Sequence, residues 1–344
     1  MIIRPKPLKK SRYKKIRLDK NEKNDDFKIE FLNSFKKIIK SHHLSSYPET
    51  YEVYKSLSKN LKINKNKILL TNGADGAIEN CFKLFTSPNS KIIKINPTYK
   101  MVDVYSKIYR TKNLEIGIDK NLNTDYQKLI GSISKKISMV IIANPNSPTG
   151  KILAEKEILN ILKKTKKYNI PFVIDEAYFE FNNYTSSKFI KNFSNLIIIR
   201  TFSKAFGLAG LRIGYILSNE KMIKKLEQFR PCYEISTIGA LAINHILKNS
   251  KLVKNNIKNI LRGKSFFEEY LKRKNLSFVE SKANFLHVDF GKKKNYVKKI
   301  LNKNNILVQD SINSSRYKNF LRITIGPIAI MKKVSKVVSK IMSN

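Results

Sequence analysis

A chain of 344 residues, 42% of them hydrophobic and 10% aromatic, is long and apolar enough for a large core and two domains, which excludes a disordered protein. Its net charge of +42 invites a nucleic-acid reading, but 57 lysines against 11 arginines, spread along the whole chain, supply few of the forked contacts that specific recognition uses. Salt-sensitive, non-specific adhesion is the most that this charge predicts, and no specific nucleic-acid partner is expected.

In chain order, residues 1–45 begin with the basic stretch MIIRPKPLKKSRYKK, which lacks the apolar run of a secretory signal. They read as an N-terminal arm that joins part of a small domain. From about residue 65 to 220, short apolar runs alternate with helical ones. KILLT precedes GAIENCFKLF, KIIKI precedes YKMVDVYSKIY, and MVIIANP precedes EKEILNILKKTKKY; PFVIDEA and NLIIIRTFS follow. Continuous apolar strands between helices signal βαβ units. An α/β fold is therefore predicted, with a mainly parallel sheet sandwiched by helices in a large domain over 46–240. Ligands of such sheets bind beyond the carboxyl ends of the strands.

Beyond residue 220 the texture changes. The Lys-rich helical stretch at 251–274 is predicted to link two lobes. It leads to short strands LSFVE, NFLHVDF, NILVQD and NFLRITIG, which predict a smaller α+β domain over 241–344. No apolar run is long enough to cross a bilayer. Cys81 and Cys232 lie far apart in no ligand spacing, so neither a disulfide framework nor a zinc site is expected. The expectation is a cytoplasmic protein with no membrane partner and no metal.

Five segments carry candidate chemistry. VIDEAY (173–178) ends an apolar strand in two carboxylates. Asp175 is a metal ligand, an acid or base, or the partner of a cationic heterocycle; a helix cap is the plain alternative. LLTNGADGAIE (69–79) places glycines at a strand-to-helix turn, where free N–H groups suit a phosphate, although such turns are commonplace. Tyr99, just after another strand, either stacks on a planar ligand or packs at the surface. ANPNSPTG (143–150) is a rigid turn that presents Asn146 and Ser147. RTFSKAFGLAGLRIGY (200–215) offers Thr201 and Ser203, then Lys204, three glycines and Arg212. A lysine taken blindly is a solvated surface group, but Lys204 is ringed by rare residues, and Arg212 has the fork to grip phosphate.

Together these pieces match the needs of one cofactor, pyridoxal phosphate (PLP), which wants a lysine for a Schiff base, an acid at its ring nitrogen and an anion cradle. Lys204 and Asp175 would meet the first two needs. Ala74, Asp75, Thr201, Ser203 and Arg212 would form the cradle. Tyr99 would stack on the ring, while Tyr178 and the turn at Asn146 and Ser147 would reach its phenolic oxygen.

With LDKNE (18–22), YPE (47–49), RPCYEIS (230–236) and LRITIG (321–326), these motifs resemble the fold-type-I PLP aminotransferases, and among them the histidinol-phosphate aminotransferase family. The resemblance implies catalytic roles for Lys204, Asp175 and Tyr178. It also implies a homodimer with shared active sites, in which Tyr47 reaches the partner's cofactor. Arg322 would bind the amino donor's carboxylate. Asn21 falls on the substrate side, and Arg230 either binds substrate or orients the interdomain hinge. Three departures stand out. Ser147 occupies the position where the family carries Asn, Gln309 stands where an Arg is usual, and residues 1–20 contain no Tyr-bearing PY segment. The implied activity is transfer of an amino group between a small donor and a keto or aldehyde acceptor. Three alternatives stand beside it: the same reaction on a non-phosphorylated substrate, PLP-dependent decarboxylation of a phosphorylated amino acid, and a non-enzymatic basic nucleic-acid-binding protein.

Overall fold

The computed structural model describes residues 11–342. The first ten residues, where part of the arm and of the PY search fall, lie outside the described residues, as do the last two. A short strand β1 (Ile16–Leu18) is followed by helices α1 (Ile29–Ile38), α2 (His42–Ser45) and α3 (Tyr51–Leu61). Strands and helices then alternate as β2 (Ile68–Thr71), α4 (Gly73–Phe85), β3 (Lys91–Ile95), α5 (Lys100–Ile108), β4 (Lys112–Ile116), α6 (Tyr126–Ser132), β5 (Ile137–Ala143) and α7 (Glu155–Lys167). Next come β6 (Phe172–Asp175), β7 (Leu196–Thr201), β8 (Gly214–Leu217), α8 (Glu220–Glu227) and α9 (Thr237–Lys248).

Strands β2 to β8 form one sheet in the order β2-β8-β7-β6-β5-β3-β4. All run parallel except β8, which is antiparallel to both neighbours, so the expected mainly parallel sheet is present. Its strands are apolar on both faces because helices cover both. Leu70, Ile93, Ile142, Ile174 and Ile198 pack with α3, α7 and α9. The alternate residues Leu69, Ile92, Ile141, Val173 and Ile197 pack with α4, α5 and α8. Each such side chain contributes about 1.5–3 kcal/mol by leaving water. A charge at Ile198 would be buried unpaired and would break the layer.

The remaining elements are α10 (Ser250–Arg273), β9 (Phe278–Val279), β10 (Phe285–Asp289), α11 (Lys294–Lys303), β11 (Ile306–Asp310), β12 (Phe320–Thr324) and α12 (Ile328–Met342). A second sheet has the order β1-β11-β12-β10-β9, with β1 parallel to β11. Helix α9, which crosses residue 240, packs through Ile243 and Ile246 into the first core. Helix α10 places Val253 in that same core and Ile260, Phe267 and Leu271 in the core of the second sheet. The segment after β1 then bonds to Tyr178 just beyond β6, to Lys204 just beyond β7, and to Arg322 and Thr324 of β12. Among the described residues, no helix is long and apolar enough to cross a membrane.

Candidate active site

At the exit of β2 the chain turns at Gly73, in the left-handed region at φ 65°, and starts α4. The first N–H to bond back along this helix is that of Gly76, to the Asn72 carbonyl at 3.2 Å. The N–H groups of Ala74 and Asp75 precede it, at the positive end of the helix dipole. Beside them, β8 approaches without a side chain. A Cβ on Gly214 would lie 2.6 Å from the Gly73 carbonyl carbon and 2.8 Å from the Ala74 nitrogen. Only glycine permits this approach.

Arg212 completes the cradle from a short helical turn, Ala209–Leu211, and itself adopts φ 53°. Nη1 donates to Ser203 Oγ at 3.3 Å, and Nη2 donates to Asp75 Oδ2 at 3.2 Å. The other Asp75 oxygen accepts from the Tyr99 hydroxyl at 2.8 Å. Burial, with Asp75 adding to it, holds the Tyr99 phenol above its usual range, so it stays protonated. Thr201 ends β7, and its hydroxyl accepts from the Ser203 N–H at 3.1 Å. A guanidinium fork, two hydroxyls and two helix-start N–H groups form a donor set for a phosphate monoester.

Beyond the cradle lies Asp175, the last residue of β6, which is 7% exposed. Its side chain accepts from the Ala177 N–H at 3.0 Å and forms no salt bridge among the described residues. Burial pushes its carboxyl up to about 7, with Asp75 adding to the rise, against the Ala177 N–H and the charge of Lys204. The neighbouring carboxylate, Glu176, turns the other way and pairs with buried Arg200 at 3.0 Å. The two acids of IDEAY thus divide their work: one anchors the sheet and one waits in the cleft for a cationic partner. A carboxylate so placed suits a ring bearing a basic nitrogen.

Lys204 Nζ donates to the Lys20 carbonyl at 3.2 Å and stands 5.5 Å from the centre of the Tyr178 ring. Tyr178 is 5% exposed and accepts from Asn21 Nδ2 at 3.0 Å. Burial alone would raise its phenol, but Lys204, the Asn21 amide, Arg322 and Ser147 together bring it below the ordinary value.

Ala74, Asp75, Tyr99, Ser147, Asp175, Tyr178, Thr201, Ser203, Lys204 and Arg212 line this one cleft, together with Ala177. Asn146 lies just behind this lining: its amide nitrogen donates to the Pro97 carbonyl and the Thr149 hydroxyl, both at 3.1 Å, and its buried Oδ1 has no partner among the described residues, while Ser147 faces the cleft. Tyr47 is 75% exposed and stacks on Tyr233 with ring centres 4.4 Å apart, outside the cleft of its own chain. Arg230 pairs with Glu234 at 3.1 Å and lines an adjoining groove that meets the cleft through Asp75 and Arg212.

Arg322 donates from Nη2 to the Asp19 carbonyl at 2.7 Å, and its buried Nε has no partner among the described residues. Burial lowers its basicity, and Tyr178 and Asp19 partly restore it. Gln309 on β11 and His287 on β10 are its register partners and share its face of the sheet. Two contributors escaped the sequence reading. Thr324 binds Asn21 from the end of β12, and the carbonyl groups of Asp19 and Lys20 hold the two cations. A threonine closing the strand that carries Arg322 was the available signal for the first; backbone carbonyls leave none.

The family model for aminotransferase class I and II matches residues 13–341. The chain is 36% identical over 313 residues to the histidinol-phosphate aminotransferase of Buchnera aphidicola subsp. Cinara cedri, covering 87% of this chain and 86% of that one. Its fold is similar to the crystal structure of the histidinol-phosphate aminotransferase of Clostridium acetobutylicum, with a TM-score of 0.84 and 26% identity over 95% of this chain and 99% of the other. The histidinol-phosphate aminotransferase of Sinorhizobium meliloti, solved in complex with pyridoxal-5'-phosphate, superimposes with a TM-score of 0.85 at 21% identity, covering 96% and 92%.

Proposed function

Because this chain belongs to the class I and II aminotransferase family, we propose that it moves an amino group between a small amino donor and a keto or aldehyde acceptor, using pyridoxal phosphate held by Lys204. Family membership sets aside the non-enzymatic binding reading. Histidinol phosphate is the substrate assigned here, on the likeness to relatives bearing that name. The observation that carries the cofactor assignment is the buried carboxylate of Asp175, which has no salt bridge among the described residues and opens on the same cleft as an amine and a phosphate cradle.

Bound there, pyridoxal phosphate supplies an aldehyde that condenses with amines and a ring that withdraws electrons from the reacting carbon. The remaining work falls to the chain. Arg212, the hydroxyls of Thr201 and Ser203, and the N–H groups of Ala74 and Asp75 would hold the phosphate. Asp175 would accept a hydrogen bond from the ring nitrogen and keep it protonated, since a cation in a buried site favours the ionised acid. Tyr99 would cover one face of the ring, and the hydroxyls of Tyr178 and Ser147 would orient its phenolic oxygen. Lys204 is the one lysine lining the cleft among the described residues. Its Nζ would therefore take a proton from the donor's α-carbon and pass it to the cofactor's side, so that the donor leaves as a keto product. Arg322, with an unpartnered Nε, would bind the donor's carboxylate through its fork. Gln309, across the strand pair from Arg322, offers a neutral amide toward a substrate phosphate.

A homodimer belongs to the same reading. It is supported by the outward stack of Tyr47 on Tyr233, an exposed aromatic pair held parallel within 7°. Cytoplasmic residence is likewise part of the proposal, and cell fractionation checks it. For the reaction, reduction of the purified protein with borohydride followed by peptide mapping should place a pyridoxyl label on Lys204. Turnover with a panel of amino donors and keto acceptors, histidinol phosphate included, should yield amino transfer without release of carbon dioxide. A label elsewhere, or decarboxylation in place of transfer, overturns the assignment.

A further inference from the structure

Three consecutive residues near the N-terminus each hold a different functional side chain. The Asp19 carbonyl accepts from Arg322 at 2.7 Å, and the Lys20 carbonyl accepts from Lys204 at 3.2 Å. The Asn21 amide donates to the Tyr178 oxygen at 3.0 Å. Asn21 is 2% exposed and sits at φ 55°, a left-handed conformation that Asn tolerates better than most residues. The Thr324 hydroxyl fixes its side chain. That hydroxyl accepts from the Asn21 N–H at 3.0 Å and donates to Oδ1 at 3.0 Å, which leaves Nδ2 for Tyr178.

A phenol has one proton to give and two lone pairs that accept. Asn21 has no acceptor left on the side that meets Tyr178, so the Tyr178 proton must go elsewhere, and the open direction is the cleft. The Asn146 amide nitrogen is engaged by Pro97 and Thr149, and its buried Oδ1 has no partner among the described residues. We infer that Asn21 is a positioning residue for Tyr178: locked by Thr324, its amide compels the phenol to present its proton to the cleft. The inference rests on the reading that a ring oxygen of the cofactor is received there, and it refines how this chain receives it. Its direction agrees with the lowered phenol of Tyr178. The other groups facing that phenol are Lys204, Arg322 and Ser147, with Tyr99 acting on it through charge and Phe285 meeting the ring edge-on.

Ultraviolet titration of the cofactor-free protein tests this, with the Tyr178→Phe chain subtracted so that the remaining tyrosines cancel. Asn21→Asp removes the donor and adds a negative charge, and should move the Tyr178 titration up by about one pH unit or more. Asn21→Gly keeps the left-handed backbone and should move it in the same direction by less. Thr324→Val unlocks the amide and should also raise it, whereas Thr324→Ser should restore the wild-type curve. In the loaded enzyme the same variants should shift the pH at which the bound cofactor's visible band changes. A purely structural Asn21 would lower the melting temperature and leave the Tyr178 curve on the wild-type one, and that result overturns the inference. Should Asn21→Asp fail to fold, Asn21→Gly and Thr324→Val decide it. The titration is read without cofactor, so absence of a pyridoxyl label on Lys204 would sink the proposed reaction separately.

Discussion

Arg212 and Asp75 are joined by an ion pair at 3.2 Å, while the second terminal nitrogen of the same guanidinium reaches Ser203 at 3.3 Å. Both partners of the pair are partly exposed, so it contributes little to stability. Its effect is geometric: the fork is held in the plane of the cradle before any anion arrives. Arg212→Lys keeps the charge and loses the fork. It should weaken cofactor binding by about 1.5–3 kcal/mol, or roughly 10- to 100-fold, with little change in the melting temperature of the cofactor-free protein. Equilibrium dialysis against cofactor, with inorganic phosphate as competitor, measures this.

Asp175 predicts a pH dependence whose sign can be worked out. Its folded carboxyl titrates at about 7 because it is buried, against an ordinary 3.8 in the unfolded chain. Between these values the unfolded chain has released the proton and the folded one retains it. Stability of the cofactor-free protein should therefore fall as pH rises from about 4 to 7 and level off above, by a few kcal/mol at most. Asp175→Asn should remove this slope and melt higher than wild type at pH 8, while binding cofactor far more weakly. Melting curves across that range decide the point; parallel curves would refute it.

His287 should act in the opposite sense. It is fully buried, with Nε2 donating to the Pro148 carbonyl at 2.6 Å and Nδ1 accepting from the Ser311 hydroxyl at 2.6 Å. Burial lowers its titration to about 4 from an ordinary 6.5. Stability from this neutral ring is present above 6.5 and is lost as pH falls toward 4, to the extent of about 3 kcal/mol. His287→Gln keeps a donor toward Pro148 and should abolish that acid-side loss in the same melting series.

Gly214→Ala places a methyl group where 2.6 Å separates it from backbone, not from a flexible side chain. Strand β8 and the start of α4 must then part, at a cost of about 1–3 kcal/mol or more. The N–H groups of Ala74 and Asp75 would swing out of line, so phosphate should no longer protect the variant against heat, although it protects the wild type.

The strands of the first sheet were legible because parallel strands covered on both faces need continuous apolar runs, as LIII at the start of β7 is. Strand β4 (KNLEI) escaped because it is an edge strand with most of its side chains in water. Strand β8 escaped because GYIL follows directly on a glycine-rich turn that reads as a site. In the cleft, Lys204, Asp175 and Arg212 could be read because each residue type is unusual in its setting. That the Asn146 amide nitrogen goes to the Pro97 carbonyl, 49 positions away in sequence, is visible only in the fold. The couplings of Asn21 to Tyr178 and Thr324 join residues 157 and 303 positions apart, distances over which local sequence carries no signal.

The pairing of β1 with β11 also bears on how the molecule is made. A nascent chain releases residues 16–24 from the ribosome first, and the strands they bind almost last. The sheet between residues 68 and 217 can assemble meanwhile, but the segment that grips Lys204, Tyr178 and Arg322 has nowhere to dock until Thr324 has emerged. A polypeptide cut short before β12 would thus carry Lys204, Asp175 and Tyr178 and still lack a finished catalytic chamber, which ties competence to the completion of synthesis.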